Sequence, residues 1–173
     1  MRYKESITLV IYAVVTIMIL IIGCTSPAQE HIAMGDNYRE QKQWDAAIAE
    51  YTKAVELNPK SVEAYTNRGI TYDRQGEFDK AIADYTQSIE LDPKNAKAYS
   101  NRASDYFLKN ECDKAIADCT RAIEIEPQNA TAYNNRGIFY DSNGESDKAI
   151  ADYTRAIEID PKNEVDPKIR TGS

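Results

Sequence analysis

The side chains in this chain that could do chemistry are few: one histidine, three cysteines, and carboxylates and arginines that recur at a fixed interval. A typical zinc site needs four ligands, which His31 cannot supply alone. His31 also stands in register with Tyr65, Tyr99 and Tyr133, so packing is its expected role. Cys112 falls in the series Trp44, Phe78, Ser146, and Cys119 in the series Tyr51, Tyr85, Tyr153, so both thiols replace packing residues. Spaced two turns along one helix, they would lie about 10.5 Å apart on its axis, too far for a disulfide with each other, which leaves an intermolecular bridge as the alternative. The abundant carboxylates have no glycine-rich phosphate loop or serine elbow beside them. No catalytic residue, metal ligand or cofactor is expected, and the chain reads as a non-enzyme.

What does recur is pairing and binding chemistry. Arg68, Arg102 and Arg136 are each followed at one constant spacing by Asp84, Asp118 and Asp152, whereas the corresponding first segment has Met34 and Glu50. That co-occurrence predicts structural ion pairs between helices, with buried arginine methylenes and hydrogen-bonded guanidinium heads. Lining a ligand groove is the alternative role for these arginines. Asn67, Asn101 and Asn135 repeat at the same interval. A ladder of amides can donate to and accept from an extended backbone without reading its sequence, although capping or inter-helix bonds would use the same groups.

The interval itself is 34 residues, marked by Pro59, Pro93, Pro127 and Pro161, and it organises the whole chain. Residues 62–95, 96–129 and 130–163 align without a gap, and 28–61 is a more divergent first copy. Within the second unit a stripe of Ala64, Tyr65, Arg68, Gly69 and Tyr72 is followed by a Gln75-Gly76 break. A new stripe then runs through Ala81, Ile82, Tyr85, Ile89 and Leu91, so each unit predicts helix, turn, helix. Gly76 and Gly144 suit left-handed helix ends, Asp45, Asp79, Asp113 and Asp147 the starts of second helices, and Ser61, Asn95 and Asn129 the caps of first helices. Periods of this length belong to solenoids, in which each unit covers the apolar face of its neighbour. A formal net charge of −7 argues against nucleic acid as a partner.

These four units resemble the tetratricopeptide repeat family. The small-residue and aromatic slots of that family are filled by Gly35, Gly69, Ala103 and Gly137, by Tyr38, Tyr72, Tyr106 and Tyr140, and by Ala47, Ala81, Ala115 and Ala149. The arginines depart from it, standing where the family usually has leucine. The resemblance implies an all-α solenoid of helix-turn-helix repeats coiled as a right-handed superhelical array, whose first helices line a concave, peptide-binding groove. The residues so implicated are Thr66, Asn67, Ile70, Asp73 and Arg74, then Lys97, Ser100, Asn101, Ser104 and Phe107, then Thr131, Asn134, Asn135, Ile138 and Asp141. The basic clamp of chaperone-binding members is matched only by Lys97 and the asparagines, with Thr66, Ile32 and Thr131 at other basic positions.

The termini follow a different logic. Arg2 and Lys4 precede an apolar stretch from Ile7 to Gly23, which reads as a secretion signal over residues 1–23. Ile21-Ile22-Gly23-Cys24 resembles the bacterial lipobox, which implies diacylation of Cys24, a short linker over 24–27, and membrane attachment by lipid. An uncleaved transmembrane anchor is the alternative. Either reading puts the repeats outside the cytoplasm, in the cell envelope, facing the periplasm or outer membrane where there are two membranes. At the other end, Pro167 interrupts a tail over 164–173 that leaves little room for a capping helix. Ile150, Tyr153 and Ile157 are then expected to be partly wet, which would favour homo-oligomers through the last repeat.

The function expected is a membrane-tethered adaptor that binds a partner protein or peptide through the groove. Tetratricopeptide lipoproteins of pilus assembly and of envelope complexes offer the analogy. A self-associating structural envelope protein is the alternative.

Overall fold

The computed structural model describes residues 25–161; the signal or anchor reading, Cys24 and the tail over 164–173 lie outside the described residues. The helices are α1 (Pro27–Glu40), α2 (Trp44–Leu57), α3 (Val62–Arg74), α4 (Phe78–Leu91), α5 (Ala96–Leu108), α6 (Cys112–Ile125), α7 (Ala130–Ser142) and α8 (Ser146–Ile159). They pack as four hairpins in sequence, α1 on α2 through α7 on α8. Among the described residues there are no strands, and no helix is long and apolar enough to cross a membrane.

Helix ends follow local chemistry. Ser26, Ser61, Asn95 and Asn129 each accept a hydrogen bond from the backbone N–H three residues on, satisfying a donor that the helix cannot. The second helices lack a side-chain cap and instead carry Asp45, Asp79, Asp113 and Asp147 in their first turns, against the positive end of the helix dipole. Between the helices of a unit the backbone turns left-handed at Gly76 and Gly144, both at φ 78°. The same turn is made by Lys42 at φ 58° and Asn110 at φ 61°, so glycine is the easier residue there but not a required one.

Inside each hairpin, a small residue faces a large one. A Cβ placed on Gly35, Gly69 or Gly137 would lie 2.5, 2.7 or 2.8 Å from the ring of Tyr51, Tyr85 or Tyr153. The third hairpin solves the same packing differently: Ala103 opposes Cys119, and Phe139 from the following unit joins them in one buried cluster. Phe139 stands where the neighbouring junctions have Thr71 and Asp105, so the volume lost from tyrosine to cysteine is filled from the next repeat. Burial pushes the Cys119 thiol up to about 12, and both Cys112 and Cys119 are free.

Two expectations about the apolar stripes change. Leu91, read as part of the second stripe, is exposed along with Leu57, since both lie at the last turn before the inter-unit loop. At the far end Tyr153 is buried, because its own Gly137 and Ala149 enclose it, and Ile157 is half-buried. Of that trio Ile150 is the wettest, at 53% exposed, and Ile157 is partly so.

Candidate partner-binding groove

Contacts recur between successive first helices, α1 with α3, α3 with α5 and α5 with α7, with no comparable contact between successive second helices. The first helices therefore lie on the inner side of the curve, and the seams between them form the floor of a groove.

The arginines set the spacing of that array. Arg68 donates from Nε and Nη2 to both oxygens of Asp84 at 2.8 Å, and from Nη1 to Thr52 of the preceding unit at 3.1 Å. Arg102 repeats this on Asp118 at 2.7 and 2.9 Å and on Thr86 at 2.9 Å. Arg136 does so on Asp152 at 2.7 and 2.8 Å and on Thr120 at 3.0 Å. Each guanidinium thus joins three helices of two units in a bidentate, charge-assisted geometry. It also lies over the ring of Tyr65, Tyr99 or Tyr133 at 5.6 Å from the centroid. The bond to Asp84 holds Arg68 above its ordinary value, as the bond to Asp152 does for Arg136. The threonines were missed from sequence, though their 34-residue recurrence at 52, 86, 120 and 154 was the signal.

The first unit replaces this clamp. With Met34 in the arginine slot, His31 Nδ1 lies 2.6 Å from Glu50 Oε2, and Lys53 Nζ donates to Glu50 Oε1 at 2.8 Å. His31 is therefore not simply a packing residue; its ring is part-exposed and binds a carboxylate on the opposite helix. The bonds from Lys53 and then His31 hold the Glu50 carboxyl below its ordinary value. Among the described residues no group of three or more His, Cys, Asp or Glu is placed to hold a metal ion.

The fifteen candidate groove residues divide by helix face. Thr66, at 5% exposed, turns inward and shares a hydrogen bond with Ser88 Oγ at 2.7 Å while accepting from Asn95 Nδ2 at 3.1 Å. It is not a groove side chain. Ser100 and Asn134 stand in its register, but Ala122 and Ala156 replace Ser88 there, and Ser100 Oγ and Asn134 Oδ1 are enclosed without a partner. Asn67 is spent on the scaffold as well: at 8% exposed, its Nδ2 donates across the seam to Asp36 Oδ1 at 3.3 Å.

The remaining positions differ in exposure. Ile70, Asp73, Asn101, Ser104, Phe107 and Asn135 are half-buried, whereas Arg74, Lys97, Thr131, Ile138 and Asp141 are exposed. Asn101 differs from Asn67 in one consequential way. Ile70 occupies the place that Asp36 has for Asn67, so Asn101 Nδ2 is enclosed and has no acceptor. Further along, Phe107 stacks on Phe139 with centroids 4.6 Å apart, closing the seam between α5 and α7.

Sequence reasoning missed the most unusual group of all. Asp105, at 0% exposed, lies one turn after Asn101, and neither of its oxygens has a donor partner among the described residues. The charge that acts on it is the Asp73 carboxyl on α3. Burial first, and then the charge of Asp73, pushes the Asp105 carboxyl up to about 8. The only hint in the sequence was an aspartate in register with Thr71 and Phe139.

An array of helical hairpins with its first helices inward is the architecture of an α-solenoid. The chain belongs to the tetratricopeptide repeat family: a TPR repeat model matches residues 35–76, and a tetratricopeptide repeat model matches 62–95, 96–129 and 130–163. Among solved structures, a crystal structure of MamA is 37% identical over 74% of this chain and 75% of its own, with a TM-score of 0.71. The first TPR of Spaghetti (RPAP3), bound to the HSP90 peptide SRMEEVD, is 30% identical over 68% of this chain and 94% of its own, with a TM-score of 0.67. The Arabidopsis OM64 TPR domain is 29% identical over 67% of this chain and 96% of its own, with a TM-score of 0.66. No curated protein matches the chain.

Proposed function

We propose that this protein is a non-enzymatic adaptor whose inner groove holds an extended segment of a partner protein. The observation that carries this reading is Asn101 Nδ2, an enclosed amide donor left without an acceptor on the floor between α3 and α5. An unmet donor in a seam is costly unless a ligand or water meets it. The peptide-bound RPAP3 repeats, which share this fold, support the mode of binding. The basic clamp is not reproduced here, since Thr66, Ile32 and Thr131 stand at its other positions, so the partner is a different one from a chaperone tail.

For the full chain we propose tethering through a lipidated Cys24, which puts the groove in the cell envelope and gives it a role in an envelope complex or in pilus assembly. Radiolabelled fatty acid incorporated by the parent and not by Cys24→Ala supports the tether; equal labelling of both removes it. The groove is tested by a crosslinking pull-down from envelope membranes with Asn101→Ala/Asn135→Ala at matched abundance and thermal stability. A partner lost only from the variant is the expected result, and an unchanged set of partners refutes groove binding.

One observation favours self-association as a second reading. Ile150 is 53% exposed, whereas Ile48, Ile82 and Ile116, its counterparts on α2, α4 and α6, are half-buried under the next unit. A sedimentation coefficient independent of concentration would dismiss it.

A further inference from the structure

The register positions at which Phe107 stacks on Phe139 between α5 and α7 hold Asp73 and Asp105 on α3 and α5, and Arg39 and Thr71 on α1 and α3. In the second of these pairs the Asp73 carboxyl opposes ionisation of the buried Asp105 carboxyl. Asp105 is enclosed and aimed into this seam without a donor, and Asn101 Nδ2, on the same face one turn earlier, is enclosed without an acceptor. The seam therefore has an unmet acceptor and an unmet donor side by side.

The surroundings do not neutralise the pair. From α3 it meets Asp73 itself, with Arg74 nearby; from α4 it meets the Tyr85 phenol, whose ionisation is opposed by burial and then by Asp105 and Asp73. On α5, Lys109 is engaged by Asp79 and Glu111. A buried carboxyl beside a second carboxylate ionises only at high cost, so Asp105 keeps its proton.

We propose that Asp73 and Asp105 are the seat for a cationic side chain, a lysine ammonium or arginine guanidinium, carried by the segment that lies in the groove; this rests on the groove-binding reading. The half-buried Asp73 offers the way in. As the cation binds, the Asp105 O–H bond breaks, its proton leaves to solvent, and N–H···O bonds form to the two carboxylates. One positive charge enters for each proton released. Asn101 Nδ2, one turn away, then donates to a backbone carbonyl of the same segment. The preferred ligand is thus basic, opposite in sign to the acidic peptide held by the RPAP3 repeats.

The probe is N-acetyl-lysine methylamide, titrated into the isotope-labelled full chain to the order of 10 mM while amide shifts are followed. Its neutral analogue, N-acetyl-norleucine methylamide, is run beside it. Saturable shifts at residues 73, 101 and 105 are expected with the lysine probe, with about tenfold weaker binding of the neutral one. Affinity should rise by up to about tenfold per pH unit between roughly pH 6 and 8, as one proton is displaced for each probe bound. Asp73→Asn and Asp105→Asn should each abolish the preference, with far-UV dichroism checking that each variant is folded. Asp73→Asn is the safer of the two because its site is only half-buried. Equal binding of both probes, a pH-independent lysine affinity, or no saturable shift overturns the seat. The pull-down decides the adaptor separately: partner loss there without a lysine preference here leaves the adaptor standing and removes only the seat.

Discussion

Replacing Arg102 with methionine tests whether the arginines hold the array together or serve a ligand. The Arg102 and Asp118 side chains are only 14% and 10% exposed, so solvent screens their bidentate pair weakly. Methionine keeps the apolar volume but leaves Asp118 enclosed without its cation, a loss of about 3–5 kcal/mol in buried pairs. The vacated Thr86 acceptor adds on the order of 1 kcal/mol, and water reaching Asp118 recovers part of the whole, so about 3 kcal/mol is expected. Arg102→Met/Asp118→Leu removes both charges and should come back to within about 1 kcal/mol of the parent. Because Arg102 also binds Thr86 of the preceding unit, the single variant should broaden the transition as the two halves of the array uncouple. Urea unfolding followed by far-UV dichroism measures both effects. A single variant that loses less than about 1 kcal/mol, or a double variant as unstable as the single, refutes the structural assignment. Unchanged stability with lost partner binding would move Arg102 into the groove.

Other substitutions test the remaining packing and charge arguments. Gly69→Ala puts a Cβ 2.7 Å from the buried Tyr85 ring and should cost about 1–3 kcal/mol in urea unfolding, while Ala103→Gly, opposite the smaller Cys119, should cost no more than about 1 kcal/mol. Asp105 keeps its proton up to about pH 8 when folded, against an ordinary value of 3.8, so the folded state binds that proton more tightly. Its contribution is full below about pH 4, is lost as pH rises toward about 8, and is flat beyond. Asp105→Thr, borrowing the residue of the preceding seam, should therefore stabilise the protein by about 1–3 kcal/mol near pH 8 and progressively less toward pH 4; a pH-independent difference would contradict this. Glu50 has the opposite sign, because its folded value lies below 4.5: its stability is present above that value and lost as pH falls through the lower folded one. Acid unfolding of Glu50→Gln should lack that component, and an acid transition identical to the parent's would deny Glu50 any role in it. A thiol reagent should modify Cys112 readily in the folded protein, whereas Cys119 should react only on unfolding.

The repeat length, the helical hairpins, their caps at Ser61, Asn95 and Asn129, and the pairing of Arg68, Arg102 and Arg136 with aspartates could all be read along the chain. Each depends on residue types at fixed offsets, and a 34-residue period shows such offsets four times. Which face a polar residue takes was much less legible. Thr66 and Asn67 are neighbours on one helix, yet one bonds Ser88 on the partner helix and the other bonds Asp36 across the seam. Neither is left for a ligand, and that outcome depends on residues 22 and 31 positions away. Asn101 is chemically identical to Asn67 and differs only because Ile70 faces it where Asp36 would have been. His31 looked like a substitute for tyrosine until the opposite helix supplied Glu50. The sequence by itself determined the solenoid, because repeated local signals add coherently over four copies. Only the tertiary structure decided which amides are satisfied and which carboxyls meet, because each such contact joins two different units, and the exceptions at Asp105, Ile70 and Cys119 break the repeat that made the rest readable.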